Sequence, residues 1–442
     1  MVFILYCALS TGAVSAQVLR SDPARRFFDF PSQADLAISL RNETAMDLAP
    51  QHHLSKSQSI ANVDIILPLG KFFWVTNRMR AIYDPVNKLE QKKQFDADPI
   101  DRWETRRRFE IDLREAYVDI GLGLMDLRLG RQQVVWGEAD GIRVLDVVNP
   151  MEYREFILAD YVDARIPLWM ARGHIYAGEY TFDIVWIPDY EPARLAQPET
   201  EFTSRSHLGP GYKAPTAGAL KPEDLIDEPE YGFRMIRTYG GAEFTLNFFD
   251  FYEDFATQDE ILNPESQELE TLWIYRRSRM YGGKFLNRIS RTDYRAEFTL
   301  VHNRSVPAPD APNGLLRRNI LTMMVGVDYN AQERWSFADY GTFQYIHELI
   351  LDHNDRMNID KISHTVSLGL RRDLFRGILV AQAFALVNIN NRDIMFRPRV
   401  SSDLHDNIRM SVSLDVFAGP RNGYYGQFGA GDRILATLEF HR

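Results

Sequence analysis

The chain has almost no cysteine, and it has no long apolar run after its first residues. Cys7 is the only cysteine among 442 residues, so no disulfide can form within the chain. Beyond residue 17 no uncharged apolar stretch approaches the ~18 residues that a transmembrane helix needs. This excludes a helical membrane span. A transmembrane β-barrel is not excluded, because its lipid-facing residues alternate with polar ones and cancel in a hydropathy average.

The chain also lacks an excess of positive charge and the common catalytic motifs. Its net charge is −10, which argues against nucleic acid as a partner. The sequence contains no Gly-x-Ser-x-Gly elbow, P-loop, HExxH or cysteine-based metal motif, and its ten histidines are scattered. We therefore expect no enzymatic activity, no cofactor and no metal site.

The first residues, MVFILYCALSTGAVSAQ, resemble a secretory signal. The stretch is apolar and ends in the small residues Val14, Ser15 and Ala16, which suit cleavage before Gln17. No Lys or Arg precedes Arg20, so the usual positive start is missing, and a buried first helix is the alternative. We predict a signal peptide at residues 1–16 and one exported domain at residues 17–442.

Strict alternation of apolar and polar residues is the main pattern in the rest of the chain. In residues 408–418 the apolar positions are Ile408, Met410, Val412, Leu414, Val416 and Ala418, and polar side chains occupy most of the positions between them. The pattern recurs at 242–248, 294–300, 362–370 and 434–440. Such a period of two predicts β-strands with one apolar face.

The lengths of these strands and of their connections favour a membrane barrel. Strands of about 9–11 residues span an outer membrane, whereas strands of soluble sandwiches average ~5–6. Short turns and long connections largely alternate along the chain, as in outer-membrane barrels. We predict an all-β transmembrane antiparallel barrel of about eighteen strands; because residues 270–292 are ambiguous, about sixteen is the alternative.

An even number of strands places both termini in the periplasm of a protein located in the cell outer membrane. Residues 189–230, rich in Pro, Gly, Glu and Ser, are predicted to form a long extracellular loop or an inward-folded lid. The polar face of the strands predicts the lumen wall. It carries both signs of charge, so strong ion selectivity is not implied. Its candidate residues are Glu243, Arg295, Glu297, Arg409, Asp415 and Glu439.

The alternation breaks after Gly130, where Arg131, Gln132 and Gln133 follow one another. A lipid-facing strand cannot continue through them without burying an unpaired polar group, so the chain must leave the wall or turn inward. Further on, Asn149, Pro150 and Glu152 resemble a helix start with a capping box. We predict a short helix here whose apolar face includes Tyr153, Phe156 and Ile157.

Two placements of residues 135–165 are consistent with the sequence. The segment either folds into the barrel mouth as a constriction or forms an ordered extracellular loop. If it lines a pore, the candidate constriction residues are Arg131, Gln132, Gln133, Trp136, Glu138, Arg143, Arg154 and Glu155. Elsewhere, Arg106, Arg107 and Arg108 lie where a long loop re-enters the membrane. They are candidates for pairing with lipopolysaccharide phosphates, or are a solvated loop end.

Residues 107–190 resemble an uncharacterised family of Gram-negative outer-membrane proteins, catalogued as domain of unknown function 1302. The resemblance rests on Gly130–Gln133, Trp136-Gly137-Glu138, Asp146–Pro150, Arg154-Glu155-Phe156, and Arg165-Ile166-Pro167 with Trp169-Met170. It implies an outer-membrane channel that works beside an inner-membrane exporter of the resistance–nodulation–division type and a periplasmic lipid-binding protein. The implied cargo is hydrophobic or lipid-like. A structural or adhesive surface barrel and a lipid-modifying enzyme are the alternatives.

Overall fold

The structure, a computed structural model, describes residues 33–48, 53–86, 109–196, 201–203, 222, 226–262, 269–308, 311, 314–331, 338–357 and 359–442. The predicted signal peptide at 1–16, the Arg106–Arg108 cluster and much of the predicted 189–230 loop lie outside the described residues. No helix among the residues described is long and apolar enough to cross a bilayer.

Eighteen strands form one antiparallel sheet, as predicted. In chain order they are β1 (Asp35–Asp47), β2 (Leu54–Pro68), β3 (Phe73–Tyr83), β4 (Phe109–Gly121), β5 (Met125–Gln132), β6 (Leu168–Ala177), β7 (Tyr180–Ile187), β8 (Glu230–Tyr239), β9 (Ala242–Tyr252), β10 (Arg277–Ile289), β11 (Thr292–Pro307), β12 (Leu315–Asn330), β13 (Tyr340–Ile350), β14 (Ile362–Leu374), β15 (Leu379–Asn388), β16 (Asp393–His405), β17 (Ile408–Ala418) and β18 (Arg433–His441).

The sheet closes on itself. β1 pairs with β2 on one side and with β18 on the other, from Ser39 opposite His441 to Asp47 opposite Arg433. Closure is required because hydrocarbon offers no hydrogen bonds to an exposed strand edge. The predicted barrel of eighteen strands is thereby confirmed.

The region that was ambiguous in the sequence, residues 270–292, contains the end of a loop hairpin and one strand of the wall. Thr257–Leu262 and Leu269–Ile274 form a separate two-stranded hairpin, and the wall resumes only with β10 at Arg277. Alternation was a poor guide here because a hairpin in a loop and a strand in the wall share the same period of two.

Most of the short connections lie at one end of the barrel, and the long connections lie mainly at the other. One end, the short-turn rim, carries the turns 69–72, 122–124, 178–179, 240–241, 290–291, 375–378 and 406–407. Gly240 and Gly241 both have positive φ, at 58° and 84°, as a two-residue hairpin turn of the primed type requires. The other end, the long-loop rim, carries the connections 84–108, 133–167, 188–229 and 253–276. β1 begins and β18 ends at the short-turn rim.

The two faces of the wall have the polarity predicted for a membrane barrel. In β9, Leu246 is 55% exposed on the outside while its neighbour Thr245 is 3% exposed on the inside. In β17, Met410 and Val412 are likewise exposed, and Ser411 and Ser413 are buried. A soluble sheet would bury its apolar face. Here the apolar face is the outer one, and the polar face is covered from within.

The exposed apolar band predicts that stability depends on depth. We expect Leu246→Arg, in the middle of β9, to lower the free energy of unfolding by about 2–4 kcal/mol, because a guanidinium there must enter hydrocarbon. Tyr239→Arg, at the short-turn rim, is the matched control and should cost about 0–1 kcal/mol. Urea unfolding of the barrel in lipid vesicles measures both, and equal losses would contradict a membrane-facing band.

Candidate functional site

The candidate site begins where β5 leaves the wall. Gly130 has a φ of 133°, and a Cβ there would lie 2.2 Å from the carbonyl oxygen of Ala116, so no side chain fits. Pairing between β4 and β5 ends at Ala116 and Arg131, but Gln132 still pairs with Leu168 at the start of β6. Residues 133–167, called here the lumen segment, are therefore a loop whose two ends are held side by side.

The lumen segment lies inside the barrel, because it bonds to inward-facing side chains on strands all around the wall. Trp136 Nε1 donates to Asp183 on β7 at 3.0 Å, and the Asp140 amide donates to Gln344 on β13 at 2.9 Å. Further along, Arg397 on β16 donates to the Leu158 carbonyl oxygen at 2.9 Å. These strands belong to different sides of the barrel, so the segment crosses the lumen.

A fully buried carboxylate, Asp183, forms the first anchor of the segment. Arg172 donates to it from Nε and Nη2, both at 2.9 Å, and Arg234 donates from Nη2 at 3.0 Å. His174 Nε2 lies 3.1 Å from the same carboxylate. Trp136 reaches this group beside Gly232, where a Cβ would lie 2.6 Å from the indole ring. The missing side chain at Gly232 thus leaves the space that the ring occupies.

The second anchor joins Glu138 and Leu145, in the first half of the segment, to β10 and β11. The Glu297 carboxylate accepts hydrogen bonds from the backbone amides of Glu138 and Leu145. Lys284 bridges Glu138 and Glu243, with both Nζ–Oε1 distances at 2.7 Å. Arg295 donates to the Glu138 carbonyl oxygen at 2.6 Å. The structure therefore brings four of the predicted residues together: Glu138, Glu243, Arg295 and Glu297.

The third anchor lies near the seam between β1 and β18. Glu155 accepts from Lys56 on β2 at 2.6 Å and from Arg433 on β18 at 2.8 Å, and Arg433 Nε also binds Asp415 at 2.8 Å. Asp163 binds Arg41 on β1 and also Arg80 on β3. Two more predicted residues, Glu155 and Asp415, thus share one arginine.

Apolar patches on the inner wall receive the apolar side chains of the segment. Trp136 and Leu145 pack with wall residues of β6–β10; the patch consists of Leu168, Met170, Val185, Ile187, Phe249, Phe251 and Met280. Phe156 and Leu158 pack in a second patch with Phe384, Leu386, Met395, Phe417, Tyr425 and Phe428. Phe156 has the unfavourable φ of 53°, and its ring lies 4.5 Å from that of Phe428. Packing holds this residue in a conformation that costs about 1 kcal/mol on its own.

Several predicted constriction residues form hydrogen bonds that fix the start of the segment or link parts of the segment to each other. Arg131 Nε donates to the Leu113 carbonyl oxygen at 2.9 Å and its Nη1 binds Glu191 at 2.6 Å. The side-chain amide of Gln132 donates to the Met170 carbonyl oxygen at 3.3 Å. That of Gln133 donates to the Val162 carbonyl oxygen at 3.2 Å, within the segment itself.

Arg143 and Arg154 have partners inside the segment, and two predicted wall residues lie away from it. Arg143 donates to the Asn149 carbonyl oxygen at 2.7 Å, and Arg154 Nε binds Glu152 at 2.7 Å. Arg409 pairs with Asp403 at 2.6 Å, close to the short-turn rim. Glu439 is near the end of β18, at the same rim. Arg409 and Glu439 are therefore not part of the anchors described above.

The predicted helix starting at Asn149 is wrong. The Asn149 side chain accepts from the Val134 amide at 2.7 Å and donates to the Ile166 carbonyl oxygen at 2.9 Å, so it ties together the two ends of the segment. Residues 151–157 form a bridge, a short strand pair and turns. The segment's helix, α1, spans only Tyr161–Ala164. The Asn149 side chain is thus used in bonds to Val134 and Ile166 and is not available to cap a helix.

Sequence reasoning missed most of the wall partners, among them Asp183, Arg172, Arg234, Lys284 and Lys56. A usable signal existed for Asp183. It lies in the sequence TFDIVW, where the residues around it are apolar except for the threonine. A single carboxylate in such a strand needs a cationic or hydrogen-bonding partner inside the protein.

Carboxyl groups of the segment fall into two classes of acidity. Burial, followed by the charge of Asp163, raises the pKa of Asp160 to about 7. Burial also raises the pKa of Asp140 to about 6, although Arg295 opposes the shift. Burial alone would raise the pKa of Glu155 too, but Lys56 and Arg433 outweigh it and hold this pKa well below its usual range.

A family model described as "Protein of unknown function (DUF1302)" matches residues 63–421. The chain belongs to this family. A comparison with curated proteins gave no match. The resemblance of the sequence to the family is thus confirmed over most of the barrel, well beyond the signature residues around Gly130.

Solved structures with a similar fold include outer-membrane porins and channels. OccAB3 of Acinetobacter baumannii is 7% identical with a TM-score of 0.52, covering 93% of this chain and 100% of that chain. OccK8 (OprE) of Pseudomonas aeruginosa is 8% identical with a TM-score of 0.49, covering 94% of this chain and 98% of that chain. The outer membrane channel DcaP of A. baumannii is 9% identical with a TM-score of 0.42, covering 94% and 99%. At 7% identity the likeness to OccAB3 shows the fold alone.

The Asp183 anchor predicts a large effect of one substitution. We expect Asp183→Asn to lower the free energy of unfolding by about 3–5 kcal/mol, because Arg172 and Arg234 lose their buried counter-charge. Asp403→Asn is the control: its pair with Arg409 is exposed, so the loss should stay within about 0–1 kcal/mol. Denaturant unfolding in detergent micelles compares them. A cost for Asp183→Asn no greater than that of the control would exclude a structural role for the anchor.

The raised pKa of Asp160 predicts that docking of the segment depends on pH. An undocked Asp160 would have the usual pKa of ~4, so between that pH and about 7 the docked segment holds an extra proton. Docking should therefore be strongest below this window and weaken as the pH rises through it. Asp140 acts in the same direction. The lowered pKa of Glu155 has its effect only at more acidic pH.

A spin label at Val162, in a chain without Cys7, reports this change. Its mobility should increase from about pH 5 to about pH 8, and Asp160→Asn should reduce the increase because the titrating carboxyl is gone. The charged groups that face Asp160, namely Asp163, Arg41, Arg397 and Arg399, remain in that variant. An equal change of mobility with pH in the Asp160→Asn variant and in the parent chain would show that Asp160 does not cause the pH dependence.

Proposed function

We propose that this protein is an outer-membrane channel whose conducting path is limited by the lumen segment. The observation that carries the proposal is the position of residues 133–167, which cross the lumen and bond to inward-facing side chains on several sides of the wall. A solute that passes through the barrel must pass the segment or displace it. Some of the predicted constriction residues lie at the surface of the lumen segment, as Glu138 does. Others, such as Arg131 and Glu155, hold the segment in place.

We further propose that the short-turn rim faces the periplasm and the long-loop rim faces outward. Outer-membrane barrels have short periplasmic turns and longer extracellular loops. The same asymmetry divides the two rims here, and both ends of the barrel sheet lie at the short-turn rim. In this orientation the lumen segment enters from the outer side, and a periplasmic partner would meet the short-turn rim.

The cargo we propose is hydrophobic or lipid-like. The supporting feature is an apolar patch on the inner wall, where Val185, Ile187, Phe249 and Met280 pack against the lumen segment. The lumen of a porin for hydrophilic solutes is polar. Movement of the segment would expose this apolar surface to a passing molecule. Export together with an inner-membrane exporter of the resistance–nodulation–division type and a periplasmic lipid-binding protein fits such cargo, and it follows from the family resemblance.

Removal of the segment tests the proposal. We expect replacement of residues 139–163 by a short Gly/Ser linker to raise single-channel conductance several-fold, because the anchors at Asp140, Glu155 and Asp163 are removed. The paired ends, Gln132 and Leu168, stay in place, so the barrel can still close. Conductance in planar bilayers is the measurement, after a heat-shifted gel band has shown a folded barrel.

Insertion of the same linker between Gly240 and Gly241 is the control. Nothing lies within 4 Å of a Cβ built at either glycine, so the conductance should stay nearly unchanged. An unchanged conductance after deletion of 139–163 would contradict a constriction. If neither chain conducts, a structural or adhesive barrel becomes the better explanation, and a lipid-hydrolysis assay tests the enzymatic alternative.

A further inference from the structure

A row of directly paired residues crosses the outer surface of the barrel near the long-loop rim. Trp186 on β7 pairs with Tyr231 on β8, and Tyr231 pairs with Asp250 on β9. Asp250 pairs with Arg279 on β10, which pairs with His302 on β11. Paired residues of an antiparallel sheet share a face, and Trp186, Tyr231 and Arg279 are exposed, so the whole row faces the membrane side.

The row lies at the upper border of the apolar band. The next outward-facing row toward the short-turn rim is apolar and aromatic throughout: Ile184, Phe233, Phe248, Tyr281 and Leu300 are paired in turn. Trp and Tyr at such a border are typical of the membrane–water interface. Arg279 and His302 are therefore at the height of lipid headgroups, with lipid-facing rings directly beneath them.

The charge of this row is not balanced. Asp250 is buried beneath two guanidinium groups, with Arg279 Nε donating to it at 2.7 Å and Arg277 bound to its other oxygen. Nη1 and Nη2 of Arg277 donate to the carbonyl oxygens of Glu228 and Pro229. The side chain of Arg279 is 58% exposed, and only its Nε takes part in the bond to Asp250. Among the described residues, two arginines thus share one carboxylate, and the exposed guanidinium of Arg279 faces the membrane side.

In the part of the chain that the structure describes, Arg277 and Arg279 form ion pairs with Asp250 and with no other carboxylate. Glu228, in the loop above the row, accepts a hydrogen bond from the Tyr252 hydroxyl at 2.8 Å. At the opposite end of β8, the outward-facing Arg237 forms a simple pair with Glu179 at 2.8 Å, and that pair has no net charge. Among the described residues, Arg279 on β10 thus shares its carboxylate with a second arginine, whereas Arg237 on β8 has a carboxylate of its own.

We propose that Arg279 and His302 form a binding site for the phosphate of an outer-leaflet glycolipid. Guanidinium groups bind phosphate through charge-assisted hydrogen bonds. The acyl chains of the same lipid would lie along Phe233, Phe248 and Tyr281. The site rests on the proposed function in one respect, because it requires the long-loop rim to face the outer leaflet.

Binding of a bis-phosphorylated lipid A tests the site. The purified full chain in nonionic micelles is titrated with lipid A, with its dephosphorylated form, and with inorganic phosphate, and bound lipid is counted by native mass spectrometry. We expect Arg279→Gln to weaken lipid A binding about tenfold, which corresponds to one charge-assisted contact. Arg237→Gln is the matched control and should bind as the unaltered chain does. The dephosphorylated lipid should bind weakly to all three.

The outcomes separate this site from the channel function. Unchanged lipid A binding by Arg279→Gln, or equal competition by inorganic phosphate, overturns the lipid site. If conductance and the heat-shifted band are normal in the same preparation, the channel proposal stands. A loss confined to Arg237→Gln overturns both the site and the proposed orientation.

Discussion

Backbone hydrogen bonding in hydrocarbon is the constraint on which the rest of this structure depends. Every strand that meets lipid must have a strand partner on each side, since no water replaces a missing one. The closure of β1 on β18 meets this need at the seam. Alternation of apolar and polar residues follows from it, because a wall one strand thick has one face toward lipid and one toward the lumen.

The same constraint explains why the chain leaves the wall at β5. Arg131, Gln132 and Gln133 cannot face lipid in turn, and a glycine with positive φ precedes them. Once inside, the chain covers polar groups of the wall that water would otherwise have solvated, so each needs a partner from the segment or from a neighbouring strand. Asp183, Glu297 and Arg433 meet that need through several bonds each. The anchors are thus the consequence of filling a polar lumen with protein.

The sequence was informative wherever a local pattern had one structural explanation. The alternation of β9 and β17 predicts both the strands and the direction of their faces, because a period of two has few other origins in segments of this length. It failed where the deciding contacts are distant in the chain. Asn149 carries every local sign of a helix cap, yet Val134 and Ile166 take its side chain.

For the site residues too, local sequence patterns identified single residues but not the contacts between residues far apart in the chain. Glu138 and Glu297 were found because both fall in recognisable stretches, one in the family signature and one on the polar face of a strand. Nothing in the sequence predicts that they meet, since 159 positions separate the two groups that bond. Lys284, which links Glu138 to Glu243, was missed because a lone lysine between glycine and phenylalanine gives no sign of its partners.

The apolar patches on the inner wall bear on the order of assembly. Phe249, Met280 and Ile187 point away from the lipid. If the barrel closed before residues 133–167 entered it, these apolar side chains would be exposed to water in the lumen, which is unfavourable. The stretch between β5 and β6 would also have to thread a finished ring with its charged side chains unpaired. The packing therefore favours an order in which the sheet and the inner loop associate while the seam is still open, and the pairing of the first strand with the last encloses them.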